Sequence, residues 1–273
     1  MELLTISAVA IAIVAALRST WSPCGVSMLS SITPLSESAR GHRYWVTITW
    51  FLLGSVLGGA SLGAVAALGA LIVGAVGFST LASALLVFLA GCITIASDLG
   101  VGGFRLPANP RQVNRFWLDQ YRPWVYGLGF GWQLGVGVAT YVMSASVYLM
   151  VVAAAATGEP LLAMGIVTFF GFLRGLAILP AARIRVPADL STLHRRIERF
   201  RPAGRVVAII AQIGVVAVAV AVVLAPTAGL AAAAFLLAVT WTMRAGLDDP
   251  APPRPRTVDR PAPALIPLSD RPR

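Results

Sequence analysis

Residues 3–33 read LLTISAVAIAIVAALRSTWSPCGVSMLSSIT, an apolar stretch with Pro23 inside it and Pro34 directly after it. As one straight helix it would run about 46 Å, far more than a hydrocarbon core of ~30 Å. Proline interrupts the helical hydrogen-bond ladder, and the backbone groups that it frees cannot face lipid. We therefore expect the helix to break near Pro23 and Pro34 and to hold Cys24 in a protein-lined cavity.

The composition predicts an all-α, polytopic membrane protein. Of the 273 residues, 58% are hydrophobic and 12% are charged, and the mean hydropathy is +0.82, outside the range of soluble domains. The net charge of +10 comes from arginines alone, which we place in membrane-flanking loops rather than on a nucleic-acid site. Two cysteines and two histidines are too few for a structural metal site, so we expect no metal and no cofactor. His42 and His194 are interpreted as solvated loop residues.

Seven apolar segments of spanning length predict about seven transmembrane helices: 3–33, 45–73, 78–99, 124–156, 161–182, 205–225 and 228–243. Arginines occur in the first, third and fifth connections and are absent from the second, fourth and sixth. By the positive-inside rule, the amino terminus of this multi-pass cell-membrane protein lies outside and its carboxyl terminus in the cytoplasm. We expect a transmembrane domain over 1–246 and a disordered, proline-rich cytoplasmic tail over 247–273.

An internal similarity predicts an inverted repeat. The segment around Trp21 can be laid over the segment around Trp132, so that repeat one (1–100) corresponds to repeat two (124–225) and 228–243 is an extra helix. The first and fourth spans then run in opposite directions, as in transporters whose working site lies at the repeat interface. Glycines four residues apart in the second span favour close helix packing.

The chain resembles the transmembrane thiol–disulfide carriers of the cytochrome c biogenesis (CcdA) and DsbD type over about residues 1–225. Ser22-Pro23-Cys24 fits the family's first motif, Gly129-Phe130-Gly131-Trp132 fits the flank of its second, and Phe170 to Pro180 fits its glycine- and proline-containing fifth helix. The resemblance implies a carrier that takes reducing equivalents from a thioredoxin-like cytoplasmic donor to an extracytoplasmic thiol acceptor.

The chain departs from that family at the second motif. Where the family has a second Pro-Cys, this chain has Leu134-Gly135. A CcdA-like maturation factor of methylamine-utilisation clusters is a related branch, to which this chain is similar. If two thiols of this chain act together, Cys92 is the other candidate catalytic residue beside Cys24; the alternative is that Cys92 only packs.

Polar residues complete the expected site. Arg18 and Arg174 are intramembrane charges that would make an inner vestibule electropositive, with Asp98 as counter-charge. Trp21, Ser22, Pro34, Trp132, Gln133 and Gly135 are expected at the helix break and the cavity.

Two functions remain open. The first is a thiol–disulfide relay that supports maturation of an extracytoplasmic protein, such as a c-type cytochrome or methylamine dehydrogenase. The second is a broken-helix, anion-favouring transporter of small solutes without redox activity, with its site near Pro23, Trp132 and Arg174.

Overall fold

A computed structural model describes residues 2–107, 117–139, 142–223, 234, 236 and 237. Within these residues the regular structure is helical and contains no strand, which confirms the all-α prediction. The helices are α1 (Glu2–Ser19), α2 (Pro23–Ser31), α3 (Pro34–Ala39), α4 (Tyr44–Val76), α5 (Thr80–Leu99), α6 (Trp117–Gln120), α7 (Pro123–Val136), α8 (Ser146–Ala155), α9 (Pro160–Leu176) and α10 (Pro187–Val223). Short 3-10 helices cover Val101–Gly103 and Leu179–Arg183.

Five helical segments among the described residues are long and apolar enough to cross a membrane: Glu2–Ser19, Tyr44–Val76, Thr80–Leu99, Pro160–Arg183 and Ala188–Val223. A further apolar helix, α8, is shorter. These segments are consistent with a multi-pass membrane protein. The predicted seventh span, 228–243, lies almost wholly outside the described residues, and the predicted tail, 247–273, lies entirely outside them.

The first predicted span is divided between two helices. α1 ends at Ser19, and α2 begins at Pro23 after a short turn. Ser22 has extended backbone angles and its hydroxyl accepts the backbone N–H of Gly25, so it caps α2. Proline suits the first helical position because the N–H it lacks would have no partner there. The helix is therefore interrupted directly before Cys24.

A second division follows within ten residues. α2 ends at Ser31, and α3 begins at Pro34. Thr33 and Ser36 form a reciprocal capping box at that start, which satisfies two otherwise unpaired backbone donors. α2 is thus a nine-residue helix bounded on both sides by turns.

The fourth predicted span, 124–156, differs from the single helix that its apolar sequence predicts. α7 ends at Gly137, whose φ of 77° ends the right-handed helix, and α8 begins only at Ser146. Positive φ carries little cost for glycine. Proline, the stronger sequence signal for a helix break, is absent from 124–156, so the residue pattern does not predict this break.

The sixth predicted span, 205–225, also differs in its bounds. α10 begins at Pro187 and includes the arginine-rich segment that was expected to be a loop. Arginine, leucine and glutamate favour helices, so the polar part continues the apolar part as one helix of 37 residues with Pro202 inside it.

Glycines let α4 lie directly against α7 and α9. A Cβ built on Gly131 of α7 would overlap the carbonyl oxygen of Phe51 on α4. On the other side of α4, a Cβ on Gly59 would come within 2.9 Å of the Cα of Gly171 on α9. Only residues without a side chain permit such backbone contact, as in small-residue helix pairs in membranes. α4 therefore packs backbone to backbone against both α7 and α9.

Candidate functional site

Cys24 lies at the first break, as the second residue of α2. Its side chain is 0% exposed and packs in a hydrophobic cluster with residues of α2, α4, α7 and the 3-10 helix after α9. The cap at Ser22 and the ring of Pro23 fix the backbone immediately before it. The thiol is consequently held inside the bundle rather than at its lipid-facing surface.

Arg174, near the end of α9, is a buried charged side chain in the same region. Its side chain is 2% exposed, and its guanidinium interacts electrostatically with Cys24. The guanidinium carbon also lies 5.9 Å from the centre of the Phe170 ring. Its Nε and Nη1 atoms are buried and have no hydrogen-bond partner among the described residues. Burying a charge whose hydrogen-bond donors are unused costs free energy. Packing alone therefore does not account for an arginine at this position.

The same arginine touches the second helix break. A Cβ built on Gly137, at the end of α7, would lie 3.3 Å from Arg174 Nη1 and 2.9 Å from a ring carbon of Phe170. Arg174 therefore lies between the break that precedes Cys24 and the break that ends α7.

A small void separates these elements. Its volume is about 10 Å³, which is about the room that one water molecule needs. The walls include Ser19, Thr20, Gly25, Leu134, Arg174 and Ile178. The void thus lies between the first break and Arg174, and Cys24 itself is not among its lining residues.

Cys92 lies elsewhere in the bundle. It is half-buried on α5, a helix that packs on α10 and α8, whereas Cys24 lies in a cluster of α2, α4 and α7. Neither sulfur forms a disulfide. The pairing of Cys92 with Cys24 stays a prediction.

The two aligned tryptophans have different surroundings. Trp21 donates its indole N–H to the carbonyl oxygen of Ile197 on α10 at 2.7 Å and lies against Gly204. Trp132 is 43% exposed and donates to Ser61 at 3.1 Å on the outer face of α4. Trp132 therefore faces away from the void, and Gln133 beside it is half-buried.

Gly135 is part of the α4–α7 contact. A Cβ at this position would overlap the carbonyl oxygen of Ser55, and the Ser55 hydroxyl donates to the carbonyl oxygen of Gly171 at 2.7 Å. This is the position at which the CcdA-type motif has its second cysteine. The backbone of α4 occupies the space that a cysteine side chain would need, which gives the departure from that motif a physical reason.

Asp98 and Arg18 belong to a second polar cluster. The Asp98 carboxylate accepts hydrogen bonds from the Ser144 hydroxyl at 2.5 Å, the Ala145 backbone at 2.7 Å and Gln212 at 2.8 Å. Arg18, 2% exposed, interacts electrostatically with it. Asp98 thus lies within electrostatic range of Arg18, near the end of α5, and its role as the counter-charge stays a prediction.

Sequence analysis missed a third cluster, centred on Glu37. This carboxylate is 0% exposed and accepts hydrogen bonds from Thr47 at 2.5 Å and Tyr126 at 2.6 Å. His42 lies in a loop, its side chain is 29% exposed, and its Nδ1 is 3.2 Å from the Tyr126 hydroxyl. His194 likewise lies 2.9 Å from Ser30. The sequence signal available for this cluster was Glu37 itself, an acidic residue between the first two apolar segments.

Known relatives of the chain are methylamine utilization proteins. The MauF protein of Paracoccus denitrificans is 34% identical over 188 residues, which is 67% of this chain and 67% of that protein. The chain belongs to the MauF family. MauF proteins of Paracoccus versutus and Methylorubrum extorquens are 33% and 32% identical over 59% and 68% of this chain, and the matches cover 60% and 65% of those proteins.

Membership of the MauF family confirms the methylamine-utilisation branch that the sequence predicts. No protein-family model matches the chain, and no solved structure matches it. The likeness to CcdA and DsbD carriers therefore remains a resemblance carried by the residues around Cys24.

Proposed function

We propose that this MauF-family protein is a membrane factor for the maturation of methylamine dehydrogenase and that Cys24 performs thiol–disulfide exchange in this role. The relatives support this role, since they are named methylamine utilization proteins. The observation that carries the chemistry is a buried thiol at a helix break that interacts electrostatically with the buried guanidinium of Arg174. Positive charge beside a sulfur stabilises an anionic sulfur during exchange.

The exchange balances with one thiol from this chain. The Cys24 thiolate attacks one sulfur of an acceptor disulfide; the new S–S bond forms as the old one breaks, and the other acceptor sulfur leaves as a thiolate. A thiolate of a dithiol donor then attacks Cys24 Sγ, and the acceptor sulfur that was bonded to Cys24 leaves as a thiolate. The donor's second thiolate closes the donor disulfide and returns Cys24 to its thiolate. Two electrons have then moved from a thioredoxin-like cytoplasmic donor to an extracytoplasmic acceptor.

Access to Cys24 is proposed to come from movement of α2. Cys24 is fully buried, so a partner sulfur reaches it only when the bundle opens locally. α2 is short and has a turn at each end, which lets it move as a unit while α1 and α4 stay packed. Breaks of this kind are typical of helices that line working sites in membrane proteins.

The inverted repeat forms part of this proposal. In the proposed repeat, α1 corresponds to α7/α8, α4 to α9 and α5 to α10. Replacing each helix by its counterpart leaves the pairs α4–α9, α5–α10 and α1–α8 unchanged. The pair α1–α10 then maps onto α8–α5, and α1–α9 maps onto α8–α4. All of these pairs are in contact. Arg174 lies next to both breaks, and this nearness supports the proposal that Cys24 lies near the interface of the two repeats.

Complementation tests the proposal with the two cysteines as matched variants. In a methylotroph that lacks its own MauF, we expect Cys24→Ala to abolish formation of active methylamine dehydrogenase and Cys92→Ala to retain it. Loss of activity in both variants would support the intramolecular pair instead. Full activity of Cys24→Ala would exclude thiol exchange and favour the transporter alternative.

Arg174 provides a second test. Removing a buried charge and filling its place with an apolar side chain is often neutral for stability or stabilising. We therefore expect Arg174→Leu to lose maturation activity while the purified protein unfolds at the same temperature as the wild type or above it. Retained activity would show that the guanidinium takes no part.

A further inference from the structure

Glu37 is a buried carboxylate that the exchange chemistry at Cys24 does not use. It lies on α3, a helix of six residues that follows α2 after a connection of two residues. Its side chain is 0% exposed. A carboxylate is seldom buried completely unless the protein supplies partners for it. The partners of Glu37 therefore show which parts of the fold this position connects.

Two of these partners belong to longer helices. Thr47 of α4 and Tyr126 of α7 donate their hydroxyls to Glu37 Oε2 at 2.5 Å and 2.6 Å. Both donors are 0% exposed, so these bonds form away from solvent. Hydrogen bonds to an ionised carboxylate are stronger than those between neutral groups. Glu37 thus fastens α3 to α4 and to α7.

A third partner connects Glu37 to the end of α2. Arg40 donates from Nη1 to Glu37 Oε1 at 3.1 Å and to the backbone oxygen of Ser31 at 3.2 Å. Ser31 is the last residue of α2, and its backbone oxygen also accepts the Ser36 hydroxyl at 2.8 Å. Oxygens at the end of a helix have no partner within that helix, so these side chains supply one. The end of α2 is therefore tied to Glu37 through Arg40.

α2 also packs on the bundle through apolar side chains. Cys24 and Met28 belong to one hydrophobic cluster, which includes Tyr126. Apolar contacts are not directional, so they do not by themselves fix the position of a nine-residue helix. The directional contacts near the end of α2 are the approach of Ser30 to His194 Nε2, at 2.9 Å, and the bonds that lead to Glu37.

We propose that Glu37 is a latch that keeps α2 closed over Cys24, and that release of its hydrogen bonds to Tyr126 and Thr47 exposes the thiol. This inference rests on the proposed thiol exchange, because it names the event that controls access to the same sulfur. Tyr126 serves both parts of the device, since its hydroxyl holds Glu37 and its ring packs in the cluster of Cys24. The latch keeps the thiol away from solvent between exchange events.

Alkylation of Cys24 tests the latch on the full chain in detergent, in a Cys92→Ala background so that one thiol reacts. We expect Tyr126→Phe to raise the rate of reaction with N-ethylmaleimide about tenfold, because the closed form loses one hydrogen bond to a charged group and local opening becomes easier. Tyr148→Phe is the matched control. It removes the same hydroxyl, which here donates to Pro107, and it should react at the parental rate.

Thr47→Val gives an independent second variant, since it removes the other hydroxyl and keeps a similar shape. We expect it to accelerate alkylation as well, and we expect the rates to change little in dilute urea, because the opening of α2 exposes little surface. Equal rates in Tyr126→Phe, Thr47→Val and the parent would overturn the latch. A urea dependence as steep as that of global unfolding would overturn it too. Alkylation needs no partner protein, so its outcome is separate from the complementation test of thiol exchange.

Discussion

At the scale of single residues, Gly135 separates this chain from the two-cysteine carriers that it resembles. Its missing side chain allows the backbone of α7 to touch Ser55 on α4. A cysteine at this position would therefore push α4 and α7 apart. In the proposed thiol exchange, Cys24 therefore reacts with a sulfur from another position or from another protein.

This packing predicts that Gly135→Cys lowers the free energy of unfolding by about 1–3 kcal/mol, since overpacking in a tight interface forces the helices to shift. The matched control is Gly165→Cys, because a Cβ on Gly165 of α9 meets nothing within 4 Å. Thermal unfolding of both purified variants gives the comparison. Equal unfolding temperatures for the two variants would contradict the close α4–α7 contact.

Part of the candidate site could be predicted from residue types alone. Pro23 and Cys24 are adjacent in sequence, so the thiol beside a helix break was readable without a structure. The contact of Arg174 with the break at Gly137 was not readable, because it joins residues on two different helices. The same holds for the hydrogen bond between Tyr126 and Glu37, which lie 89 residues apart.

At the scale of helices, Asp98 connects three elements. It lies on α5 and accepts hydrogen bonds from Ser144 and Ala145 at the start of α8 and from Gln212 on α10. The glycine pattern of α4 was visible in the sequence because it is local and periodic. The Asp98 contacts were not visible, since nothing in the sequence near Asp98 indicates which helix will supply its partners.

We expect Asp98→Asn to destabilise the protein by about 3–5 kcal/mol, because the variant removes a carboxylate from beside buried arginines. Glu198→Gln is the control, since Glu198 forms an exposed pair with Arg201 one helical turn away and such pairs contribute about 0–1 kcal/mol. Denaturant or thermal unfolding in detergent measures both. A loss in Asp98→Asn no larger than that in Glu198→Gln would show that the cluster does not join α5 to its neighbours.

At the scale of the whole molecule, composition was sufficient to predict an all-α membrane protein but not the arrangement of its helices. An all-α membrane protein follows from hydropathy alone, and the described helices confirm it. The division of the fourth span and the length of α10 depend on backbone angles and helix continuation, which hydropathy does not encode. The orientation of the bundle rests on arginine placement and remains a prediction.

That orientation predicts that the end of α4 near Phe78 faces the outside and that its start, near Ala39, faces the cytoplasm. In a Cys24→Ala, Cys92→Ala background, Phe78→Cys between α4 and α5 should react with a membrane-impermeant maleimide in intact cells. Ala39→Cys, before the start of α4, should react only after the cells are opened. The reverse labelling pattern would invert the proposed topology.

The most direct test of the account asks whether Cys24 forms a mixed disulfide in cells that are producing methylamine dehydrogenase. Acid quenching, alkylation and mass spectrometry of the protein in a Cys92→Ala background would detect the adduct and identify its partner. The account predicts a disulfide between Cys24 and a partner protein that increases during growth on methylamine and disappears on reduction. Recovery of Cys24 only as the alkylated thiol, in cells with active dehydrogenase, would contradict it.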